Sequence, residues 1–332
     1  MTQPKVLVTR QLPTSALDAL RAQCAVDLHD KHDPMSRESL MDRVGKVDAM
    51  ICLLTDTVDQ AVIEAGYSLR CICDVSVGYN NIDVAYAKRR GIMVTNTPDV
   101  LTEATANLTW ALILAATRRI AEGDRLVRRG GWTGFRFDFL LGSDLAGKRL
   151  GIIGMGRIGQ AVARRGVAFG MDVAYLPSPR QSRRRSVTRL PGLKARPLPL
   201  DELLATSDVL AIHAPLTPDT RHIINREALA KMKPTSYLVN VARGPLVDEA
   251  ALVDALRDGV IAGAGLDVFE REPEVHEGLL SLENVVLVPH IGSATVETRT
   301  AMAQLAVDNC LAILHGRPPL TPVPETKDLK GF

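Results

Sequence analysis

The segment most informative about the fold is residues 149–176, RLGIIGMGRIGQAVARRGVAFGMDVAYL. It opens with a short apolar run, 150–153, and closes with a second one, 173–176. Between them lies a glycine-rich hexapeptide, followed by a helical pattern in which apolar residues are interrupted by small or basic ones. This order predicts a strand, a tight turn, a helix and a second strand.

The turn reads G-M-G-R-I-G, which fits the G-x-G-x-x-G pattern of dinucleotide-binding folds. Gly154 permits the tight turn, Gly156 lets the backbone approach a pyrophosphate, and Gly159 lets the helix pack close to the strand. The amides at the helix start then direct the positive end of the helix dipole at the phosphates. Glycine turns of this kind also occur without a ligand, but the strand–turn–helix setting favours a cofactor site. The predicted cofactor-binding residues of the turn are Gly154, Met155, Gly156, Arg157, Ile158 and Gly159.

Length and composition limit the possible classes of protein. At 332 residues the chain is too long for one compact core and favours two domains. A formal net charge of +2 argues against nucleic acid or an anionic membrane as the main partner. The chain opens on a strand-like run rather than a signal region, and its longest apolar stretch, 108–116, is about half of what a membrane span needs. We therefore expect a cytoplasmic protein.

The cysteines favour a reduced interior. Their number is odd, most lie in apolar runs, and no C-x-x-C pair occurs. We therefore expect free core cysteines and no metal site. The five cysteines are Cys24, Cys52, Cys71, Cys73 and Cys310.

Strand and helix patterns alternate in two sets along the chain, which predicts parallel sheets with right-handed crossovers. The first set has strand patterns at 5–9, 48–53, 70–75 and 92–95, with helical ones at 14–22 and 82–90. The second set follows the glycine turn, with strand patterns at 208–213, 236–241, 261–266 and 285–288. The predicted fold class is α/β, with two doubly wound parallel-sheet domains.

Four segments lie outside this alternation. Thr102–Thr117 is a predicted helix with almost no charge, so we expect it to be buried between domains or between subunits. The loop 130–142 carries four aromatic residues, which either hold it against its own domain or reach across a dimer interface. A helix predicted over 295–314 should return to the first domain and cover its sheet. The tail 318–332, rich in proline and lysine, is expected to be loose.

Three charged residues follow strands of the second set, at the ends where open α/β sheets bind ligands. Arg243 lies in N-V-A-R-G, Glu272 in F-E-R-E-P and His290 in V-P-H-I-G-S. Singly, such an arginine is usually a surface ion pair and such a histidine a hydrogen-bonded loop residue. Together they predict a reaction site, because arginine can grip a carboxylate with two parallel hydrogen bonds and histidine can protonate a carbonyl oxygen as hydride reaches its carbon. Glutamate can hold the imidazole and favour its protonated form.

Longer motifs resemble the D-isomer-specific 2-hydroxyacid dehydrogenases. They are G-M-G-R-I-G-Q-A-V-A-R-R, H-A-P-L-T-P-D-T, N-V-A-R-G-P-L-V-D-E, G-L-D-V-F-E-R-E-P, L-V-P-H-I-G-S-A-T-V-E-T-R, and V-G-Y-N-N-I-D at 77–83. The branch that they resemble most is that of the glyoxylate/hydroxypyruvate reductases, which shade into 2-ketogluconate reductases. The resemblance covers about residues 45–318. It implies a flavodoxin-like substrate domain, 1–98 plus 290–332, a Rossmann NAD(P)-binding domain, 99–289, a cleft between them, and a homodimer joined through the cofactor domains.

The resemblance also implies roles for individual residues. Arg243 would bind the substrate carboxylate, His290 would be the acid/base and Glu272 its partner. Asp267 would sit by the nicotinamide carboxamide. The other implied substrate contacts are Leu53, Val77 and Gly78. The other implied cofactor contacts are Thr109, His213, Pro215, Thr220, Val241, Ala242, His290 and Gly292.

The end of the second cofactor-domain strand favours NADPH over NADH. NAD-preferring sites usually place an acid there, to bind the ribose hydroxyls. That position here is Pro177, and no acid occurs between Asp172 and Asp201. Ser178 and Arg180 follow, and hydroxyl and guanidinium groups are natural phosphate ligands, so we predict that they contact the 2′-phosphate. The alternatives are Arg183 as the phosphate ligand, or a solvated basic loop.

The leading functional hypothesis is NADPH-dependent reduction of a small 2-keto acid, such as glyoxylate, hydroxypyruvate or 2-ketogluconate, to the D-2-hydroxy acid. One alternative is an NAD-linked dehydrogenase of another 2-hydroxy acid, or of formate or phosphite; formate enzymes carry Gln at the position of Glu272, which disfavours that substrate. The alternative from another class is a nucleotide-sensing scaffold of the corepressor type, which shares the fold.

Overall fold

The computed structural model describes residues 3–31, 33–178 and 194–330. The chain divides into two compact units, Met1–Leu101 with Ala294–Phe332, and Thr102–Ser293. We call them unit 1 and unit 2. Each is built around one parallel sheet with helices, which confirms the predicted α/β class. Within the described residues, no helix is both long enough and apolar enough to span a membrane.

Unit 1 has a five-stranded sheet with the strand order β2-β1-β3-β4-β5. Its strands are β1 (Lys5–Val8), β2 (Ala25–Leu28), β3 (Ala49–Cys52), β4 (Cys71–Asp74) and β5 (Met93–Thr95). Its crossover helices are α1 (Thr14–Arg21), α2 (Arg37–Val44), α3 (Gln60–Ala65) and α4 (Val84–Arg89). Every residue of β3 and β4 is buried, as expected for central strands of a parallel sheet with both faces covered.

Unit 2 has a seven-stranded parallel sheet with the order β12-β11-β10-β9-β6-β7-β8. Its strands are β6 (Arg149–Ile153), β7 (Asp172–Leu176), β8 (Ala195–Pro197), β9 (Val209–Ile212), β10 (Tyr237–Asn240), β11 (Gly263–Leu266) and β12 (Val285–Leu287). Its helices are α5 (Thr102–Thr117), α6 (Ile120–Arg128), α7 (Arg157–Ala168), α8 (Leu200–Thr206), α9 (Arg226–Ala230), α10 (Glu249–Arg257) and α11 (Glu277–Leu280). The strand order changes direction between β6 and β9, which is where doubly wound sheets form a ligand crevice.

The nearly uncharged helix α5 has packing partners within unit 2. Trp110 Nε1 donates to the Val162 carbonyl oxygen of α7 at 3.1 Å, and the Trp110 ring stacks on Phe169 with centroids 4.4 Å apart. A Cβ at position 265 would lie 3.0 Å from Leu112 Cβ, so glycine there lets α5 lie close to β11. The helix therefore has packing partners within its own unit, which the sequence did not reveal.

Three of the four aromatic rings of segment 130–142 are exposed. Trp132 is 59 % exposed, Phe135 87 % and Phe137 91 %. The first of the two interpretations, in which the rings hold the loop to its own domain, is therefore wrong for these three residues.

The last helix, α12 (Val296–Leu314), packs on α1, β3 and β4 of unit 1, which confirms that it covers that sheet. The tail after it is ordered against β5, contrary to expectation. Val323 is fully buried and its amide donates to the Val94 carbonyl at 3.0 Å. Thr326, also buried, donates its hydroxyl to the same carbonyl at 3.1 Å.

Candidate active site

The glycine turn joins β6 to α7 as predicted, and two of its glycines are required by close approach. Gly154 has φ +100°, and a Cβ there would lie 2.4 Å from the backbone of His213 and Ala214. A Cβ on Gly159 would lie 2.2 Å from the Gly154 carbonyl oxygen. Both glycines therefore let the turn, the helix and the end of β9 meet without side chains between them.

Gly156 is glycine for a different reason. A Cβ there would meet nothing within 4 Å, so space is open above the turn. Gly156 is the N-cap of α7, and no described side chain caps this 12-residue helix. Open space at an uncapped helix N-terminus suits a pyrophosphate, because the amides and the dipole there favour an anion. The turn therefore fits the phosphates of a dinucleotide.

His213 directly follows β9 beside this turn. Its amide donates to the Ile153 carbonyl at 2.7 Å, and its Nε2 is buried without a hydrogen-bond partner among the described residues. Burial lowers the pKa of His213 to about 3, so the ring is neutral at physiological pH. A buried ring nitrogen without a partner is costly to leave unsatisfied, and a ligand polar group could satisfy it.

The strand end after β12 holds the pair that can transfer a proton. His290 Nδ1 and Glu272 Oε2 are 2.6 Å apart, and both side chains are about one quarter exposed, at 26 % and 28 %. Glu272 Oε1 accepts from the Phe269 amide at 3.0 Å. Burial raises the pKa of Glu272, but the hydrogen bond and charge of His290, the Phe269 amide and the charge of Arg243 outweigh it and lower the pKa. The carboxylate is therefore ionised when it holds the imidazole.

Asp267 fixes the loop that carries His290. Its Oδ1 accepts from the Ile291 amide at 2.6 Å and its Oδ2 from the Gly292 amide at 2.8 Å. A Cβ on Gly292 would lie 3.0 Å from Oδ2, so a small residue allows this bond. Burial raises the pKa of Asp267, and the two amides and the charge of His290 partly offset this. The buried Asp267 therefore positions the loop, a role that its sequence motif did not reveal.

Arg243 lies between β10 and a short 3-10 turn, Gly244–Leu246. Asn240 supports this corner, because its Nδ2 donates to the Arg243 carbonyl at 2.9 Å and its Oδ1 accepts from the Ala242 amide at 3.0 Å. Arg243 Nη1 donates to the Ala242 carbonyl at 2.7 Å. A Cβ on Gly244 would lie 1.9 Å from Phe269, so the Arg243 corner packs directly on the segment that leads to Glu272. Unit 2 thus brings together the three residues predicted from separate strand ends.

The other predicted cofactor contacts have diverse settings within unit 2. The Thr109 hydroxyl donates to the Thr105 carbonyl at 2.8 Å, inside α5. The Thr220 hydroxyl donates to the Pro215 carbonyl at 2.7 Å and so shapes the turn after β9. Val241 is buried and Ala242 partly buried after β10. Ser178 is exposed just after β7, and Arg180 lies outside the described residues, as do Arg183, Arg184, Arg185 and Arg189.

The predicted substrate contacts of unit 1 lie at the carboxyl ends of β3 and β4. The Leu53 amide donates to Asp56 Oδ2 at 2.8 Å. The Val77 carbonyl accepts from Asn96 Nδ2 at 2.7 Å, and the Gly78 carbonyl accepts from Ser76 Oγ at 2.6 Å. Side chains thus hold both loops in one conformation.

These features define a class of protein. A glycine turn fitted to a dinucleotide, with a guanidinium and a carboxylate–imidazole pair at neighbouring strand ends of the same sheet, is the arrangement of a nicotinamide-dependent oxidoreductase acting on a carboxylate-bearing substrate.

The family-model comparison refines that class. Residues 110–292 match the model described as "D-isomer specific 2-hydroxyacid dehydrogenase, NAD binding domain". The chain is 47 % identical to the glyoxylate reductase of Thermococcus onnurineus over 323 residues, which cover 96 % of this chain and 95 % of that one. The protein belongs to the D-isomer-specific 2-hydroxyacid dehydrogenase family.

Solved structures agree with this assignment. The TT0316 protein from Thermus thermophilus is 47 % identical, with a TM-score of 0.89, covering 96 % of this chain and 99 % of that one. An NADPH-dependent glyoxylate/hydroxypyruvate reductase from Sinorhizobium meliloti, solved with NADP and malonate, is 36 % identical, with a TM-score of 0.85 and full coverage of both chains. The predicted family resemblance is thereby confirmed.

Proposed function

We propose that the protein reduces a small 2-keto acid, such as glyoxylate, hydroxypyruvate or 2-ketogluconate, to the D-2-hydroxy acid with NADPH. The observation that carries the proposal is the 2.6 Å contact between His290 Nδ1 and Glu272 Oε2. A histidine tied to an ionised carboxylate through one nitrogen has its other nitrogen, Nε2, left for proton transfer. Relatives named glyoxylate reductase support the choice of substrate.

In this proposal the reduced nicotinamide, when bound, supplies a hydride to the carbonyl carbon. The chain's residues do the rest. Arg243 binds the substrate carboxylate with its planar fork and so orients the neighbouring carbonyl. His290 donates the proton that the carbonyl oxygen gains as its carbon is reduced. Glu272 holds the imidazole through Nδ1, and Asp267 keeps the His290 loop in place. Val77, Gly78 and Leu53 of unit 1 are proposed to contact the same substrate.

The cofactor preference rests on the end of β7. Pro177 stands where NAD-preferring sites usually carry an acid, and Ser178 follows it, exposed. A strand end without a carboxylate at this position would not repel a 2′-phosphate. A related reductase from Sinorhizobium meliloti is described as NADPH-dependent and was solved with NADP, which supports the same preference here.

A direct assay tests the proposed activity. Purified protein should oxidise NADPH with glyoxylate and with hydroxypyruvate, and NADPH oxidation without a keto acid is the background control. Oxidation of formate or phosphite with NAD, without keto-acid reduction, would favour the alternative dehydrogenase. Nucleotide binding without turnover of any of these substrates would favour the corepressor-like scaffold and reject the proposal.

We further propose a homodimer that uses α6 and the aromatic segment 130–142. Large apolar side chains are exposed along this stretch of chain, and a concentration of exposed apolar side chains favours an interface. They are Ile120, Val127, Trp132, Phe135, Phe137 and Leu141.

Sedimentation velocity at micromolar concentration should show a dimer. The double variant Phe135→Asp, Phe137→Asp should sediment as a monomer, because charge cannot be buried in an apolar interface. Tyr67→Asp, at an exposed aromatic residue of unit 1, is the matched control and should leave the dimer intact. A monomeric wild-type protein would reject this part of the proposal.

A further inference from the structure

Three of the five cysteines meet in the core of unit 1. Cys71 and Cys73 are two positions apart in β4, so their side chains point to the same face of the sheet. Cys310 lies on α12, which packs on that face. All three are fully buried. Their sulfur atoms all lie within 4.8 Å of one another, and those of Cys71 and Cys73 are 3.9 Å apart.

These distances match a shared ion better than a disulfide. Two bonded sulfurs lie about 2.05 Å apart, roughly half the separation of Cys71 and Cys73. An ion with metal–sulfur bonds of about 2.3 Å, lying in the plane of three sulfurs, holds them about 4.0 Å apart. The triangle therefore needs little movement to close around one ion.

A polar side chain without a partner lies on the same face as the triangle. Thr95 pairs with Cys73 in register across β4 and β5, so both side chains lie on the same face. The Thr95 hydroxyl is buried without a hydrogen-bond partner among the described residues.

A positive charge lies beside the same site. Arg70 directly precedes β4, and its two terminal nitrogens donate to the Ile313 and Leu314 carbonyls at the end of α12, each at 3.0 Å. Its positive charge can offset the single negative charge of a monovalent cation held by two thiolates and a third sulfur.

We propose that Cys71, Cys73 and Cys310 form a buried binding site for Cu(I). Sulfur ligands select soft cations, and three sulfurs without oxygen or nitrogen donors suit Cu(I). Structural zinc takes four ligands, and among the described residues no histidine, carboxylate or further cysteine joins the three sulfurs. A bound ion ties α12 to β4 and stabilises unit 1, because it binds only the folded arrangement of the three residues.

The test supplies Cu(I) to the full-length protein without oxygen, in competition with a chromogenic Cu(I) chelator. Because the sulfurs are buried, a second arm refolds the protein from denaturant with Cu(I) present. Wild type should retain one equivalent of Cu(I), and X-ray absorption should show three sulfur neighbours at about 2.3 Å. Cys73→Ala and Cys310→Val should hold Cu(I) roughly tenfold more weakly or worse.

Cys24→Ala and Cys52→Ala are the matched controls, since both residues are buried in unit 1 outside the cluster. They should retain Cu(I) as wild type does. Equal loss in the controls, or no retention by wild type in either arm, would overturn the proposal. So would a disulfide among the three cysteines found by peptide mapping in place of Cu(I) binding. The keto-acid assay is independent of all these outcomes, so failure of this proposal is distinguishable from failure of the proposed function.

Discussion

Two histidines follow strands of the same seven-stranded sheet, and their surroundings differ completely. His290, after β12, is partly exposed and bound through Nδ1 to an ionised Glu272. His213, after β9, has its Nε2 buried with no partner among the described residues, and burial lowers its pKa to about 3. The two histidines therefore share a position at a strand end but have different surroundings for acid–base chemistry.

The group that contacts the ring, more than the position in the fold, therefore gives a histidine its role. A carboxylate bonded to one ring nitrogen orients the ring for proton transfer at the other, whereas a dry setting without a counter-charge keeps the ring neutral. His290 can thus supply a proton, and His213 can only offer a neutral nitrogen or an apolar surface to a ligand. The following predictions test this contrast and extend it to other strand ends of the sheet.

The largest effect is expected from His290→Gln. Glutamine keeps hydrogen-bonding ability but cannot donate a proton at neutral pH, so kcat for keto-acid reduction should fall roughly 10²-fold or more. The affinity for NADPH, measured by fluorescence titration, should change little. His213→Asn is the contrasting variant, and it should weaken NADPH binding more than it lowers kcat. Near-normal turnover of His290→Gln would remove the proposed distinction.

Arg243→Lys tests the carboxylate anchor beside His290. Lysine keeps the charge but loses the planar fork, so kcat/KM for the keto acid should fall on the order of 10²-fold. Arg271→Lys, an exposed arginine next to Glu272, is the matched control and should behave as wild type. If the amide of the substrate were reduced as fast as the acid, Arg243 would not be the anchor.

A third strand end, that of β7, is where we propose that the choice of cofactor is made. The ratio of kcat/KM for NADPH over NADH should be well above ten in the wild type. It should fall sharply in Arg180→Ala and Pro177→Asp, because each variant loses or repels a charged phosphate contact worth roughly 1.5–3 kcal/mol. Lys194→Ala, at an exposed basic residue further along the chain, is the control. A wild-type preference for NADH would show that the missing carboxylate does not determine the choice.

Hydrophobic periodicity and turn residues were enough to predict the fold class and most of the strands. The bounds of α5 and the strand–turn–helix around Gly154 were predicted because a long apolar helix and a glycine hexapeptide are local signals. The short helices α2, α3 and α6 were not predicted, since each has only a few turns to carry a periodic pattern. The tail was expected to be loose because composition does not show that Val323 and Thr326 are anchored on β5.

The candidate site divides in the same way. Arg243, Glu272 and His290 were predicted because each follows a strand, and parallel strands end at one edge of their sheet. The role of Asp267 was not, because its partners are backbone amides, which no side-chain motif records. The cysteine triangle was missed because Cys310 is far from Cys71 and Cys73 in sequence, and only the packing of α12 on β4 brings them together.

The smallest effect concerns stability at the His213 strand end. In the unfolded chain His213 has the ordinary pKa of 6.5, whereas in the folded protein burial lowers the pKa to about 3. Between these values the unfolded state binds the extra proton, so acid shifts the equilibrium towards unfolding. The stability that depends on the neutral ring is therefore complete above pH 6.5 and is lost as the pH falls towards 3.

His213→Asn removes this titration and should flatten the pH dependence. For each pH unit below the unfolded pKa, the free energy of unfolding falls by at most about 1.4 kcal/mol. Between pH 7 and pH 5 the wild type should therefore lose roughly 1–2 kcal/mol more stability than the variant. Urea unfolding at the two pH values measures the difference. His276→Asn is the control, because this histidine is exposed and caps α11 with a ring nitrogen that an asparagine side chain can replace. It should follow the wild-type pH dependence. If His213→Asn and wild type lose equal stability between pH 7 and pH 5, then His213 takes up a proton in the folded protein. In that case His213 is not held neutral, and the proposed contrast with His290 is wrong.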